Sequence, residues 1–127
     1  MNGKEFARLV ERDHACLHCG ETEAIAPNHR ANRGMGGKNS RAERPSNLVV
    51  ICSILNGQIE ADHRWAQMAK DYGWKLESWE DPLTVPVMNF NIGKWVLLDD
   101  EYGTKVVMQE ERETIAEHNT RDLPRQT

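Results

Sequence analysis

Several things are scarce in this 127-residue chain, and each scarcity removes a class of protein. Aromatic residues make up only 6% of it against 39% hydrophobic residues overall, which argues against an extensive aromatic core. No apolar run approaches the ~20 residues that a transmembrane helix needs, and no signal-like apolar segment opens the chain. The expectation is a soluble, cytoplasmic protein with no membrane partner. Cysteine is limited to three, an odd number with one CxxC pair, which favours thiolate metal ligation or free thiols over a disulfide framework. A chain of this length folds as one domain with a modest core, small enough to profit from a metal staple.

Net positive charge is missing as well: the chain carries −4 at neutral pH. The distribution matters more than the total. Residues 1–98 hold 12 Lys/Arg and 12 Asp/Glu, whereas residues 99–127 hold 4 basic and 8 acidic residues and supply the whole deficit. Between residues 29 and 45, Arg30, Arg33, Lys38, Arg41 and Arg44 stand against Glu43 alone. A phosphate backbone responds to such a local patch and not to the global balance, although a merely solvated loop would read the same way.

The order of apolar runs predicts an α+β chain. Residues 2–12 read as an amphipathic helix capped by Asn2, with Phe6, Leu9 and Val10 on one face. A brief strand is expected at residues 24–26, then a loop over residues 30–47 with glycines at 34, 36 and 37. A buried strand follows at residues 48–51. Residues 56–72 read as the main helix, ended by Gly73, and residues 74–76 as a short extended piece. Residues 85–108 read as an antiparallel meander. Residues 109–127 form an acidic tail, with a helix to about residue 119 and a flexible polar end. Trp65, Trp74, Trp79 and Trp95 are expected to fill the core between helix and meander.

Two motifs carry chemistry. Asn28-His29-Arg30 precedes the glycine-rich turn, with Pro45-Ser46-Asn47 before the apolar run that ends at Cys52, and Cys16-Leu17-His18-Cys19 has a metal-knuckle spacing. Together these residues resemble the HNH endonucleases, in particular the small HNH proteins of bacteriophages of actinobacterial hosts. The resemblance runs from about residue 16 to residue 79, half the chain.

It implies a ββα-metal (His-Me finger) core over residues 24–72, flanked by the N-terminal helix and the C-terminal meander, within a domain of residues 1–108. It also implies divalent-metal-dependent hydrolysis of DNA phosphodiesters. A cation offsets charge on the pentavalent phosphate, and a histidine near neutral pKa takes the proton of the attacking water. The family's Asp-His or His-His pair is Asn28-His29 here. His29 inherits the role of general base, and Asn28 the ligand position with a neutral oxygen. Asn47 takes the place of the loop-orienting asparagine, or is an ordinary cap residue before a strand.

The family's CxxCH segment becomes Cys52-Ser53-Ile54-Leu55-Asn56. Leu55 stands in place of a cysteine and Asn56 in place of a histidine. Some HNH relatives, among them junction-resolving enzymes and the HNH domain of CRISPR effectors, use asparagine as ligand there. Oxygen donors favour Mg²⁺ or Mn²⁺ over Zn²⁺. Glu60, four residues beyond Asn56 and on the same helical face, would restore one negative charge, with Asp62 second to it. Alternatively Glu60 is a solvated carboxylate paired with Arg64.

By the same resemblance Cys16, Cys19 and Cys52 converge. The alternatives are a structural Zn²⁺ completed by His14, His18 or His63, and three thiols packed as small apolar side chains. The basic loop residues Arg30, Arg33, Lys38, Arg41 and Arg44 are expected to contact DNA phosphates. The competing functional expectation is a catalytically impaired module of the same fold that binds DNA or a phage or host protein.

Overall fold

The computed structural model of the protein describes residues 1–32 and 41–108. Within them are three helices and two small antiparallel sheets. Helix α1 spans Gly3–Asp13, and the Asn2 side chain caps it by accepting from the Glu5 N–H at 2.9 Å. Its Leu9 is fully buried, and Phe6 and Val10 pack beside it on Leu48 and Val50. The expected helix is therefore present, one residue out of register at each end.

Strand β1 (Ile25–His29) pairs antiparallel with β2 (Leu48–Cys52), with Ile25 opposite Cys52 and His29 opposite Leu48. All five residues of β2 are buried, because both faces of the strand are covered. Leu48 and Val50 face α1. Val49 and Ile51 face the larger cluster formed with Cys16, Leu17, Leu55, Ile59 and Trp74. This double coverage explains an apolar run without alternation. Pro27 is tolerated in β1 because this two-stranded ribbon leaves that strand at an edge.

One long helix over residues 56–72 does not form. The chain enters α2 (Ser53–Ala61) directly from β2, with Cys52 as its cap. At Asp62 the backbone turns extended (φ −139°, ψ 120°), and α3 (His63–Asp71) begins anew. The Asp62 backbone N–H closes α2 on the Gln58 carbonyl at 3.0 Å, and its side chain caps α3 by accepting from the Arg64 N–H at 2.8 Å. A carboxylate that bonds nearby amides competes with helix continuation, and here the cap wins.

Gly73 follows α3 with φ +78°. A Cβ there would sit 2.0 Å from the Pro86 carbonyl oxygen, so both the conformation and the space demand glycine. Strands β3 (Val87–Asn89), β4 (Lys94–Leu98) and β5 (Thr104–Val106) form the expected meander, in the order β3-β4-β5. Trp74 is fully buried against it, donating Nε1–H to the Met88 carbonyl at 2.8 Å. Trp65 packs at the edge of the same core. Trp79 departs from the sequence expectation: it is 77% exposed, on the loop that joins the extended Leu76 segment to β3. The acidic tail, with its expected helix, lies outside the described residues.

The largest correction concerns Arg30. Expected on the surface as a phosphate contact, it is 1% exposed. Nε donates to the Gly73 carbonyl (2.8 Å), Nη1 to Ser46 (2.9 Å) and Pro82 (2.9 Å), and Nη2 to Val85 (2.6 Å). Burial and the neighbouring charge of Arg12 push its pKa down to about 9, which still leaves a cation at neutral pH. Four carbonyl dipoles from three separate segments thus solvate one buried charge, and no donor face remains for DNA. Replacing Arg30 by Lys keeps the charge but cannot reach four acceptors in a planar fork. The expected cost is about 3 kcal/mol or more in urea unfolding, because buried carbonyls are left unpaired around a displaced cation.

Candidate active site and cysteine cluster

The end of β1, the middle and C-terminal part of α2, the body of α3 and the segment after Gly73 line an open cleft of about 490 Å³. Asn28, His29, Asn56 and Glu60 all line it, together with Asn32, Lys70, Lys75 and apolar Ile59, Ala66 and Leu76. These four sequence-predicted residues come from two elements joined through β2. The strand-to-helix transition at Cys52 brings α2 back beside β1, and this places Asn56 and Glu60 across from the Asn28-His29 pair.

The polar geometry is specific. Asn28 donates its side-chain amide to the Ala26 carbonyl at 3.2 Å, and Asn56 donates to Glu60 Oε2 at 3.3 Å. Each asparagine thereby spends an N–H on a protein acceptor. Glu60 is not paired to Arg64, which is bound instead by Asp62 at 3.0 Å. Asp62 does not line the cleft. Asn28, Asn56 and Glu60 thus put three oxygen donors with a single carboxylate on the cleft wall.

His29 is half-exposed, and its Nε2 lies 2.5 Å from Glu43 Oε2. Glu43 belongs to a short 3₁₀ turn, Arg41–Glu43, and in sequence is only the lone acid of a basic patch. Lys75 donates Nζ to the His29 carbonyl at 3.0 Å. Burial lowers its pKa, against the opposing pull of Glu60. Glu43, Lys70 and Lys75 were missed because nothing local marks them. The isolated parallel bridge of Ala31 with Leu76 carries Lys75 to the cleft, and such a contact has no signature in nearby residues.

Asn47 is fully buried and ties down the backbone just past His29. Its Oδ1 accepts from the Ala31 N–H (2.8 Å), and its Nδ2 donates to the carbonyls of Ala31 (2.9 Å) and Ala42 (3.0 Å). Its own carbonyl accepts from the Arg30 N–H at 2.7 Å. The basic loop fares differently. Arg33 and Lys38 lie outside the described residues, and Arg41 is placed only as the start of its 3₁₀ turn. Arg44 is engaged by Asp100, Nε to Oδ2 at 2.7 Å.

Cys16, Cys19 and Cys52 form a second cluster, with their sulfurs all within 4.8 Å of one another. Among the described residues this is the group of His, Cys, Asp and Glu donors close enough to share an ion. Cys19 Sγ and Cys52 Sγ are 3.7 Å apart, and the Leu55 N–H points at Cys52 Sγ at 3.4 Å. Burial alone would raise the Cys16 pKa, but backbone amides of Cys19, Cys52 and His18 outweigh it and hold the thiol below its ordinary value. Cys19, at the surface but with its thiol turned onto two other sulfurs, is pushed up to about 11 by loss of solvent and by its neighbours Cys52 and Cys16. The candidate fourth ligands do not join. His18 stacks edge-on against Trp65, Trp74 and Phe90, and neither His14 nor His63 belongs to the cluster.

No protein-family model, curated protein or solved structure matches the chain.

The His29–Glu43 contact has a pH signature. The hydrogen bond with His29, above all, holds the Glu43 carboxyl below its ordinary value of 4.5. A depressed carboxylate contributes stability that is present above the unfolded value and lost as pH falls through the folded one. The His29 ring resonances in an NMR titration should therefore report the pair intact above pH 4.5 and broken below the lowered Glu43 value. Glu43→Gln should abolish that acid transition.

Proposed function

We propose that the protein is an HNH-type endonuclease that hydrolyses DNA phosphodiester bonds with the help of Mg²⁺ or Mn²⁺. The observation that carries this reading is the meeting of Asn28, His29, Asn56 and Glu60 in one cleft, from opposite ends of a strand–strand–helix unit.

The roles follow from the donors. Asn28, Asn56 and Glu60 would hold the cation, which supplies charge for the crowded phosphate and the departing oxygen. One carboxylate and two amides grip a divalent ion weakly, so the substrate phosphate completes the binding. His29 donates Nε2–H to Glu43 and keeps Nδ1 as the proton acceptor. Nδ1 takes a proton from water, the water oxygen attacks phosphorus, and the bond to the leaving sugar oxygen breaks. Asn47 holds the backbone on which His29 rides. Lys75, and Lys70 on release from its pair with Glu77, would supply the phosphate contacts that Arg30 cannot. A structural Zn²⁺ on Cys16, Cys19 and Cys52 would pin the start of α2.

The competing reading, a DNA- or protein-binding module without catalysis, draws support from the same neutral ligands. A plasmid-relaxation assay with Mg²⁺, Mn²⁺ or EDTA separates the two. The parent protein should cut with either ion and not with EDTA. His29→Ala should lose ~10²–10⁴-fold in rate while keeping DNA affinity, since general-base help is of that size. Asn56→Ala should instead raise the metal concentration needed. DNA binding without cleavage under any divalent ion would establish the binding module and sink the nuclease.

A further inference from the structure

The cysteine cluster has the donors for a metal but not for a closed one. We propose that Cys16, Cys19 and Cys52 form a three-thiolate zinc centre whose fourth position is open to solvent and takes a small external thiol in exchange for water. This rests on the zinc reading above and goes beyond a purely structural site.

Three features of the cluster fit the metal. A tetrahedral zinc with Zn–S of ~2.3 Å sets neighbouring sulfurs about 3.8 Å apart, and Cys19 and Cys52 stand at 3.7 Å. Thiolates are soft donors that select zinc over magnesium. Backbone N–H groups already point at the sulfurs, as Leu55 does at Cys52, which is how a knuckle stabilises thiolate charge.

The fourth position lacks a protein donor. Leu55, three residues beyond Cys52, occupies the place where a second CxxC would supply a thiolate. It is 1% exposed within the core cluster and offers only hydrocarbon. No described histidine, aspartate or glutamate joins the triplet, and the His18 ring is committed to Trp65, Trp74 and Phe90. Access comes from one side. Cys16 and Cys52 are buried while Cys19 is exposed, and the adjoining first residues of α2 are at the surface, with Ile54 74% exposed. Structural zinc sites are closed by four protein ligands, whereas a site with three keeps an exchangeable position. An incoming thiol would lose its proton to solvent as its sulfur displaces the bound water, so the exchange balances without any oxidant.

Cobalt substitution of the full-length protein tests this. Purified without thiols and loaded with Co²⁺, the chain should hold about one cobalt with thiolate charge-transfer bands. Titration with 2-mercaptoethanol should shift the visible bands and saturate at one thiol per cobalt. His14→Ala, His18→Ala and His63→Ala should keep that response. Leu55→Cys should hold cobalt and lose the response, because a fourth thiolate closes the site; should that variant not fold, the parent titration still decides. Retained cobalt with bands that no thiol concentration moves would mean a protein-closed site and overturn the open position alone. Failure of the triplet to hold either cobalt or zinc would overturn the zinc reading together with the proposal.

Discussion

The buried guanidinium of Arg30 is the contact on which the arrangement of the site depends. It immediately follows His29 in sequence, and its four acceptors lie on the turn before β2, at the end of α3 and at two points of the loop before β3. Hydrophobic contact alone does not fix how such short segments lie, since it is non-directional. A planar cation with donors in fixed directions does. Its burial is costly, and only full satisfaction by carbonyls makes it tolerable. The same requirement positions the His29 backbone, because the Arg30 N–H is bound by Asn47 and the His29 carbonyl by Lys75.

Much of the framework was legible in the residues. Asn2 as cap, Leu9 as the buried helix position, the unalternating run of β2 and the three strands of the meander follow from local chemistry. That chemistry does not depend on the rest of the chain. The failures share the opposite property. Arg30 reads as one of five cations in a loop, and composition cannot distinguish a guanidinium facing water from one facing four carbonyls. Asp62 sits where a helical pattern continues through it, and only its bond to the Arg64 amide reveals a break. Trp79 has the chemistry of a core residue and the position of a loop residue, and position prevailed.

The cleft was half legible for the same reason. Asn28, His29, Asn56 and Glu60 were found because their spacing resembles a known motif. Glu43, Lys70 and Lys75 follow no spacing and arrive through tertiary contacts. Their arrival changes the electrostatics of the cleft. Lys70 is paired with Glu77 at 2.6 Å and Lys75 donates to the His29 carbonyl at 3.0 Å, so both cations reach the cleft already held by the protein.

The two clusters are mechanically one. Cys52 ends β2, caps α2 and belongs to the thiol triplet, and Asn56 and Glu60 lie one and two turns further along that helix. Cys16 and Cys19 come from the segment between α1 and β1. A metal joining the three sulfurs would fix the start of α2 relative to the segment that leads into β1, and therefore the separation of Asn28 from Asn56. An α2 of nine residues, broken at Asp62, has little intrinsic stability of its own. Its direction is set by its first turn, by Leu55 and Ile59 in the core, and by its packing on α3. Leu55 thus holds the helix by hydrocarbon inside the same core cluster that contains Cys16 and Cys52, and only Cys19 of the triplet reaches the surface.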